Sequence, residues 1–198
     1  MKKIFPLLFL CFSLSAQNVH HLRTEHADTP LGIDVSHPRF SWELNSPARG
    51  SRQTAFQVLV SDKKEDLDRN SGKMWNSGVI KSSQSVWIDY KGKPLEPRKA
   101  YYWKVRVWDE KNKEHSRTSL FETGLMNNWQ AHWIGMKGTE GKPPKAVELQ
   151  KEFTLRKRVV KARIYATGLG AYHLTFNGSK VGSDVLAPGW THYLKTLH

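Results

Sequence analysis

The stretch Leu95-Glu96-Pro97-Arg98-Lys99-Ala100-Tyr101-Tyr102-Trp103-Lys104-Val105-Arg106-Val107-Trp108 decides how this chain folds. From Tyr101 the residues alternate: Tyr101, Trp103, Val105 and Val107 fall on one side, and Tyr102, Lys104, Arg106 and Trp108 on the other. A period of two marks a strand with one face buried and one wet. Tyr101, on the buried side near the start of the strand, carries its hydroxyl into the interior. That hydroxyl needs a partner, because an unpaired one in the interior costs roughly 1–3 kcal/mol. The stretch reads as the sixth strand of a seven-stranded sandwich, with Tyr101, Trp103 and Trp42 as structural residues.

The chain around it is built to match. Arg39 to Leu44 alternates and places Phe40, Trp42 and Leu44 inside, and Ala55 to Val60 does the same with Phe56, Val58 and Val60. Trp75 to Ile80 and Ser85 to Tyr90 read as two short strands, and Arg117 to Glu122 as the last. Residues 19–36 read as a lead-in with turn chemistry at Thr29-Pro30-Leu31-Gly32. The polar run from Ser61 to Lys73 has room for a helical turn but shows no apolar face, and reads as a long loop. The expected class is all-β.

Met1-Lys2-Lys3, an apolar run from Ile4 to Phe12 and the small-residue exit to Ala16 have the form of a secretory signal peptide, residues 1–16. The run is too short for a transmembrane helix. Cys11, the only cysteine, would leave with it, so the exported chain would rely on core burial rather than disulfides. Loss of Lys2 and Lys3 takes the formal charge from +13 to +11. Nine Lys or Arg crowd Lys137 to Arg163. They read as a solvated basic face, with attraction to acidic polysaccharide as an alternative. No nucleic-acid reader motif accompanies them.

Leu125 to Ile134 is a Trp-bearing connection, and Gly135 to Lys145 carries Gly and Pro without periodicity. The first domain is therefore set at 19–126, a junction at 127–145 and a second domain at 146–198. Val147 to Leu155, Val159 to Ala166, Ala171 to Phe176 and Val181 to Leu186 read as strands, with a hairpin at Asn177-Gly178. Four or five strands leave open faces, so this second domain is expected to be incomplete.

Leu95, Pro97 and Tyr101 resemble the tyrosine corner of a fibronectin type III module. More broadly, several segments resemble the N-terminal half of bacterial α-L-rhamnosidases. They are Pro30-Leu31-Gly32-Ile33, Pro38-Arg39-Phe40-Ser41-Trp42, Trp75-Asn76-Ser77-Gly78-Val79 and Tyr101 to Asp109 in the first domain. Trp129 to Gly135, Ala166 to Tyr172, Phe176-Asn177-Gly178 and Leu186 to Tyr193 continue the likeness. The resemblance implies a fibronectin type III-like β-sandwich followed by the start of a truncated jelly-roll β-sandwich. It further implies an exported, inverting hydrolase that releases terminal α-L-rhamnose from plant glycans, with its catalytic carboxylates on an (α/α)₆ barrel. That barrel would lie beyond His198, so no catalytic residue is assigned, and the chain is expected to be inactive alone. The partners implied are rhamnose-containing or acidic plant polysaccharide and the chain's own catalytic domain. A free-standing exported module that binds carbohydrate or protein is the alternative function.

An inverting glycosidase needs a carboxylic acid and a carboxylate roughly 6.5–9.5 Å apart. Asp62, Asp89, Asp109, Glu122 and Asp184 instead sit singly and read as solvated turn or strand-exterior groups. The nine histidines show no recognised metal spacing, and His20, His21 and His192 read as surface residues. The resemblance also implies a sugar-binding jelly roll, with calcium in some members. Tyr172, Asn177, Asp184 and Trp190 are the residues assigned to such contact. Trp190 could stack on a sugar ring, and the oxygens of Asn177 and Asp184 suit a hard cation.

Overall fold

Strand β7 (Ala100–Asp109) occupies the middle of a five-stranded sheet in the computed structural model of the chain, which describes residues 18–46, 49–138, 146–189, 191–192 and 195. The expected signal peptide and Trp190 lie outside the described residues. The chain parts into two compact units between Trp133 and Ile134.

In the first unit β7 pairs antiparallel with β4 (Gln53–Ser61) on one side and β8 (Glu114–Thr123) on the other. Strand β5 (Trp75–Asn76) extends the sheet beyond β4, and β2 (Leu31–Ile33) joins parallel beyond β8. A second sheet runs β1 (Asn18–Thr24), β3 (Arg39–Asn45), β6 (Ile88–Asp89). Tyr101, Trp103, Val105 and Val107 are all buried, as the alternation requires. From the other sheet Phe40 and Trp42 meet them: ring centroids are 4.5 Å apart for Phe40 and Trp103, and 5.3 Å for Trp42 and Phe56. Tyr101 stacks on Phe121 at 5.6 Å. Such aromatic pairs favour tilted or offset geometry because the rings carry quadrupoles.

The Tyr101 hydroxyl accepts the Glu96 backbone N–H at 2.8 Å. The chain segment before β7 is thereby tied to the strand it feeds. Buried Trp42 donates from Nε1 to Gln53 Oε1 at 3.0 Å, and Gln53 Nε2 donates to the carbonyls of Ser82 and Gln84. The Trp103 indole N–H lies buried without a partner among the described residues, so its place in the core is held by packing. A second tyrosine works like the first. Tyr90 is fully buried and donates to the Lys93 carbonyl at 2.7 Å, and burial pushes its pKa up to about 12. Gly92 permits that turn, since a Cβ there would lie 2.6 Å from Cζ of Tyr90 and 2.4 Å from the Met74 carbonyl oxygen.

Several expectations change. The lead-in is two strands, β1 and β2, so the central strand is the seventh of eight in this unit. A register shift between His20 and Arg23 breaks β1's alternation, which hides it from a period-two reading. The loop from Ser61 to Lys73 contains a short helix, α1 (Lys64–Asp68). Its Leu67 is buried, and α1 packs on β4 and β7, which is why Leu59 on the far face of β4 is also buried. One apolar residue among charges left no periodic signal. Trp75 to Ile80 is strand only at Trp75–Asn76, because Asn76 Oδ1 accepts the Gly78 N–H and Gly78 takes φ +66°. Pairing resumes at an isolated bridge between Phe56 and Ile80. Ser85 to Tyr90 likewise contracts to Ile88–Asp89.

In the second unit the strand expectations hold only around the hairpin. β9 (Thr175–Phe176) and β10 (Ser179–Lys180) pair antiparallel, and a single bridge joins Tyr172 to Ala187. Val147 to Leu155, Val159 to Ala166 and Val181 to Leu186 form no ladder among the described residues. Backbone pairing needs a neighbouring strand, and periodicity alone does not supply one. Val160, Val185 and Leu186 are 94%, 80% and 77% exposed.

Tyr101→Phe removes the acceptor for the Glu96 N–H and should destabilise the first unit by about 1 kcal/mol or more. Tyr102→Phe, on the half-buried opposite face, should cost much less. Chemical denaturation of the two variants checks this; equal losses would place the corner bond outside the folding energetics.

Candidate functional site

Of the residues assigned to sugar contact, Asn177 lies in the turn of the β9–β10 hairpin, and Tyr172 and Asp184 flank the hairpin in sequence. Asn177 and Gly178 take φ +49° and +77°, the paired left-handed conformations of a two-residue hairpin loop. Asn tolerates that region and Gly enters it freely, so the Asn-Gly pair sets the turn. The ladder runs Phe176 to Ser179 and Thr175 to Lys180, and the Val181 N–H donates to the Leu174 carbonyl. Lys180 Nζ donates to the Asp184 carbonyl at 2.6 Å, folding the following segment back along the hairpin. The carboxylate of Asp184 and the amide of Asn177 belong to exposed residues.

Tyr172 is held at both ends. Its N–H donates to the Ala187 carbonyl at 2.7 Å, and its hydroxyl donates to the Ala166 carbonyl at 3.1 Å. Gly168 lies against the ring: a Cβ there would sit 3.1 Å from Cδ1 of Tyr172. The chain leading to Trp190 therefore runs beside Tyr172, while Trp190 itself is outside the described residues. A half-buried ring with an exposed carboxylate and amide nearby in sequence offers stacking and hydrogen bonding.

Five acids of the first unit, Glu25, Asp66, Asp109, Glu110 and Glu114, make structural bonds. Glu25 and Asp109 are both pushed up by burial, but hydrogen bonds outweigh it and both lie below their ordinary values. For Glu25 these come from the Arg39 guanidinium and backbone N–H. For Asp109 they come from the N–H groups of Lys113 and Lys111 and from the His115 ring, 3.2 Å away. Asp109 is thus a buried turn residue, contrary to the solvated one expected. Its carboxylate caps the connection between β7 and β8, an Asx-type turn written in Asp109-Glu110-Lys111-Asn112-Lys113. The Arg106 guanidinium lowers Glu114, and the Arg52 backbone N–H lowers Glu110. Asp66 is brought to about 2 by hydrogen bonds from Lys73 and Ser61, with Arg69 adding to them against the opposing effect of burial. A glycosidase's general acid must be raised, so these five carboxylates are arranged for the opposite purpose.

A recess of about 410 Å³ opens in the first unit, lined by Thr54, Ala55, Val79, Lys81, Trp108 and Asn112. It contains no carboxylate. Sequence reasoning could not find it, because its walls come from four separate segments.

Comparison with known proteins agrees with this geometry. Residues 19–127 match the family described as "Rha78A-like, N-terminal immunoglobulin domain", and residues 157–198 match "Alpha-L-rhamnosidase N-terminal domain". The chain belongs to the Rha78A-like N-terminal immunoglobulin domain family. An alpha-L-rhamnosidase of Formosa agariphila is 38% identical over 194 residues, which is 91% of this chain and 21% of that protein. The structure of alpha-L-rhamnosidase from Dictyoglumus thermophilum superposes with a TM-score of 0.77 at 39% identity, covering 88% of this chain and 22% of that one. The Streptomyces avermitilis alpha-L-rhamnosidase complexed with L-rhamnose gives 0.56 at 41% identity, covering 61% and 12%. The chain spans about a fifth of the length of the curated relatives that match most of it. Among the described residues no helix is long and apolar enough to cross a membrane.

Asp66 generates a pH prediction. Its folded pKa, about 2, lies below the unfolded value near 3.8, so the unfolded chain binds the proton more readily. The stabilisation is complete above the unfolded value and is lost as pH falls through about 2. Asp66→Asn should flatten the acid limb of stability against pH in that window. An unchanged acid limb in urea titrations would show that the Lys73–Asp66–Ser61 cluster does not couple to folding.

Proposed function

We propose that the chain is the non-catalytic front portion of an exported α-L-rhamnosidase that hydrolyses terminal α-L-rhamnose from plant glycans. One observation carries the reading: the chain aligns along nine-tenths of its own length with about a fifth of a curated alpha-L-rhamnosidase. The commitment of Asp66, Asp109 and Glu114 to structural bonds supports it. On this reading residues 19–126 form a self-contained sandwich, 127–145 join it to the next domain, and 146–198 begin a jelly roll completed by further chain. The exposed apolar residues of that last region, Phe153, Val160, Val185 and Leu186 among them, then meet strands that follow. The basic-start, apolar leader at Met1 to Ala16 supports export. Tyr172, Asn177, Asp184 and Trp190 contact glycan, with the rest of the chain orienting the catalytic region.

The test is a paired assay on aryl α-L-rhamnoside. Residues 17–198 alone should give no hydrolysis above background. The same residues, grafted in place of the matching fifth of the Formosa agariphila enzyme, should support turnover. In that chimera Asp184→Ala and Trp190→Ala should weaken retention on rhamnose-rich polysaccharide gels. Turnover by the isolated chain would overturn the reading. An inactive chimera, with the isolated chain retained on polysaccharide, would favour a free-standing binding module.

A further inference from the structure

His20 and His21 are neighbours on β1, and neighbours on a regular strand project to opposite faces. Here they do not. The β1–β3 ladder shifts register between His20 and Arg23, and His21 takes φ +45°, a conformation that costs a non-glycine residue energy. The irregularity brings the two imidazoles edge to face with centroids 4.8 Å apart. Glu43 is the cross-strand partner of His20 on β3 and places Oε2 4.0 Å from His20 Nδ1. One ring nitrogen from each histidine and a carboxylate oxygen lie within 4.8 Å of one another. Arg23 Nη2 stands 3.4 Å from the other oxygen, Glu43 Oε1, which leaves Oε2 facing the imidazoles.

We infer that His20, His21 and Glu43 form a binding site for a divalent transition-metal ion of the zinc class, clamping β1 to β3. Two imidazoles and a carboxylate are a donor set that suits Zn²⁺, whereas Ca²⁺ and Mg²⁺ prefer oxygen ligands alone. Ligands about 2.1 Å from a tetrahedral ion stand about 3.4 Å apart, so the three side chains close by roughly an ångström on binding. His21 and Glu43 are exposed and His20 half-buried, which leaves them room to do so. Three protein ligands leave the fourth position to water. The Arg23 guanidinium orients the carboxylate as an outer partner and also opposes the incoming charge. The inference does not depend on the proposed function.

Zn²⁺ titrated calorimetrically into the untagged full chain should show one saturable site, and Ca²⁺ should not compete for it. His20→Ala and Glu43→Gln should each weaken that site by about tenfold or more, as loss of a supporting partner already can. His21→Asn is the decisive variant, because Asn tolerates the left-handed conformation and preserves the strand irregularity. It should also lose the site while circular dichroism and the melting midpoint without metal stay unchanged. His132→Ala and His173→Ala should leave binding intact. Wild-type affinity in His21→Asn, or no saturable Zn²⁺ binding by the unaltered chain, would overturn the inference.

Discussion

The Tyr101 hydroxyl accepting the Glu96 N–H, at the entrance to the central strand, is the constraint on which the first unit depends. It fixes where β7 begins, and a one-residue slip of β7 would turn Tyr101, Trp103, Val105 and Val107 outward together. With that register set, β4 and β8 pair along both edges of β7, and the opposing sheet brings Phe40 and Trp42 onto its inner face. Thr123 reinforces the corner: its Oγ1 donates to the Glu96 carbonyl at 2.6 Å and accepts the Lys99 N–H at 2.9 Å. A buried tyrosine and a buried threonine thus satisfy the backbone of the Glu96–Lys99 segment from inside.

The strand and its buried face could be read from the alternating run, and the corner from its resemblance to that of a fibronectin type III module, whereas the Thr123 bonds left no sequence signal. What escaped reading has local causes. β1 is interrupted at His20–Arg23, α1 carries a single core residue, and β2 is three residues long, so none offers a period. Asp109 is an acid in a charged turn by sequence, yet its burial follows from backbone N–H groups converging on it, which composition does not reveal. The neighbouring histidines escaped for the same reason as β1, because a strand irregularity rearranges which side chains share a face. At the hairpin, Asn177-Gly178 was legible, and so was the sequence position of Tyr172. The bonds from Tyr172 to Ala187 and Ala166 span fifteen and six residues through irregular backbone and leave no periodic pattern.

The two units differ in how their apolar residues are used. The first encloses a core of large side chains, with Trp42, Tyr90, Tyr101 and Trp103 at 1% exposure or less, although Trp87 and Trp133 remain exposed. The second holds sequences of equal strand character, yet Phe153, Leu155 and Val160 stand more than half exposed. Burying such side chains is worth roughly 1.5–3 kcal/mol each, a large fraction of a domain's total of about 5–15 kcal/mol. The contrast supports the proposed role, in which the enclosed sandwich is a front piece and the apolar, unpaired region is the start of a domain that further rhamnosidase sequence would complete.

Limited proteolysis of the full chain, read by mass spectrometry and followed by a melt of the surviving fragment, tests that claim most directly. The account predicts a resistant fragment ending between about residues 126 and 145 that melts cooperatively, with the region after it digested rapidly. It also predicts that the region becomes resistant when the chain is placed in the chimeric enzyme. A segment from residue 146 onward as resistant as the first unit, in the isolated monomeric chain, would show that it closes its own core and would contradict the account.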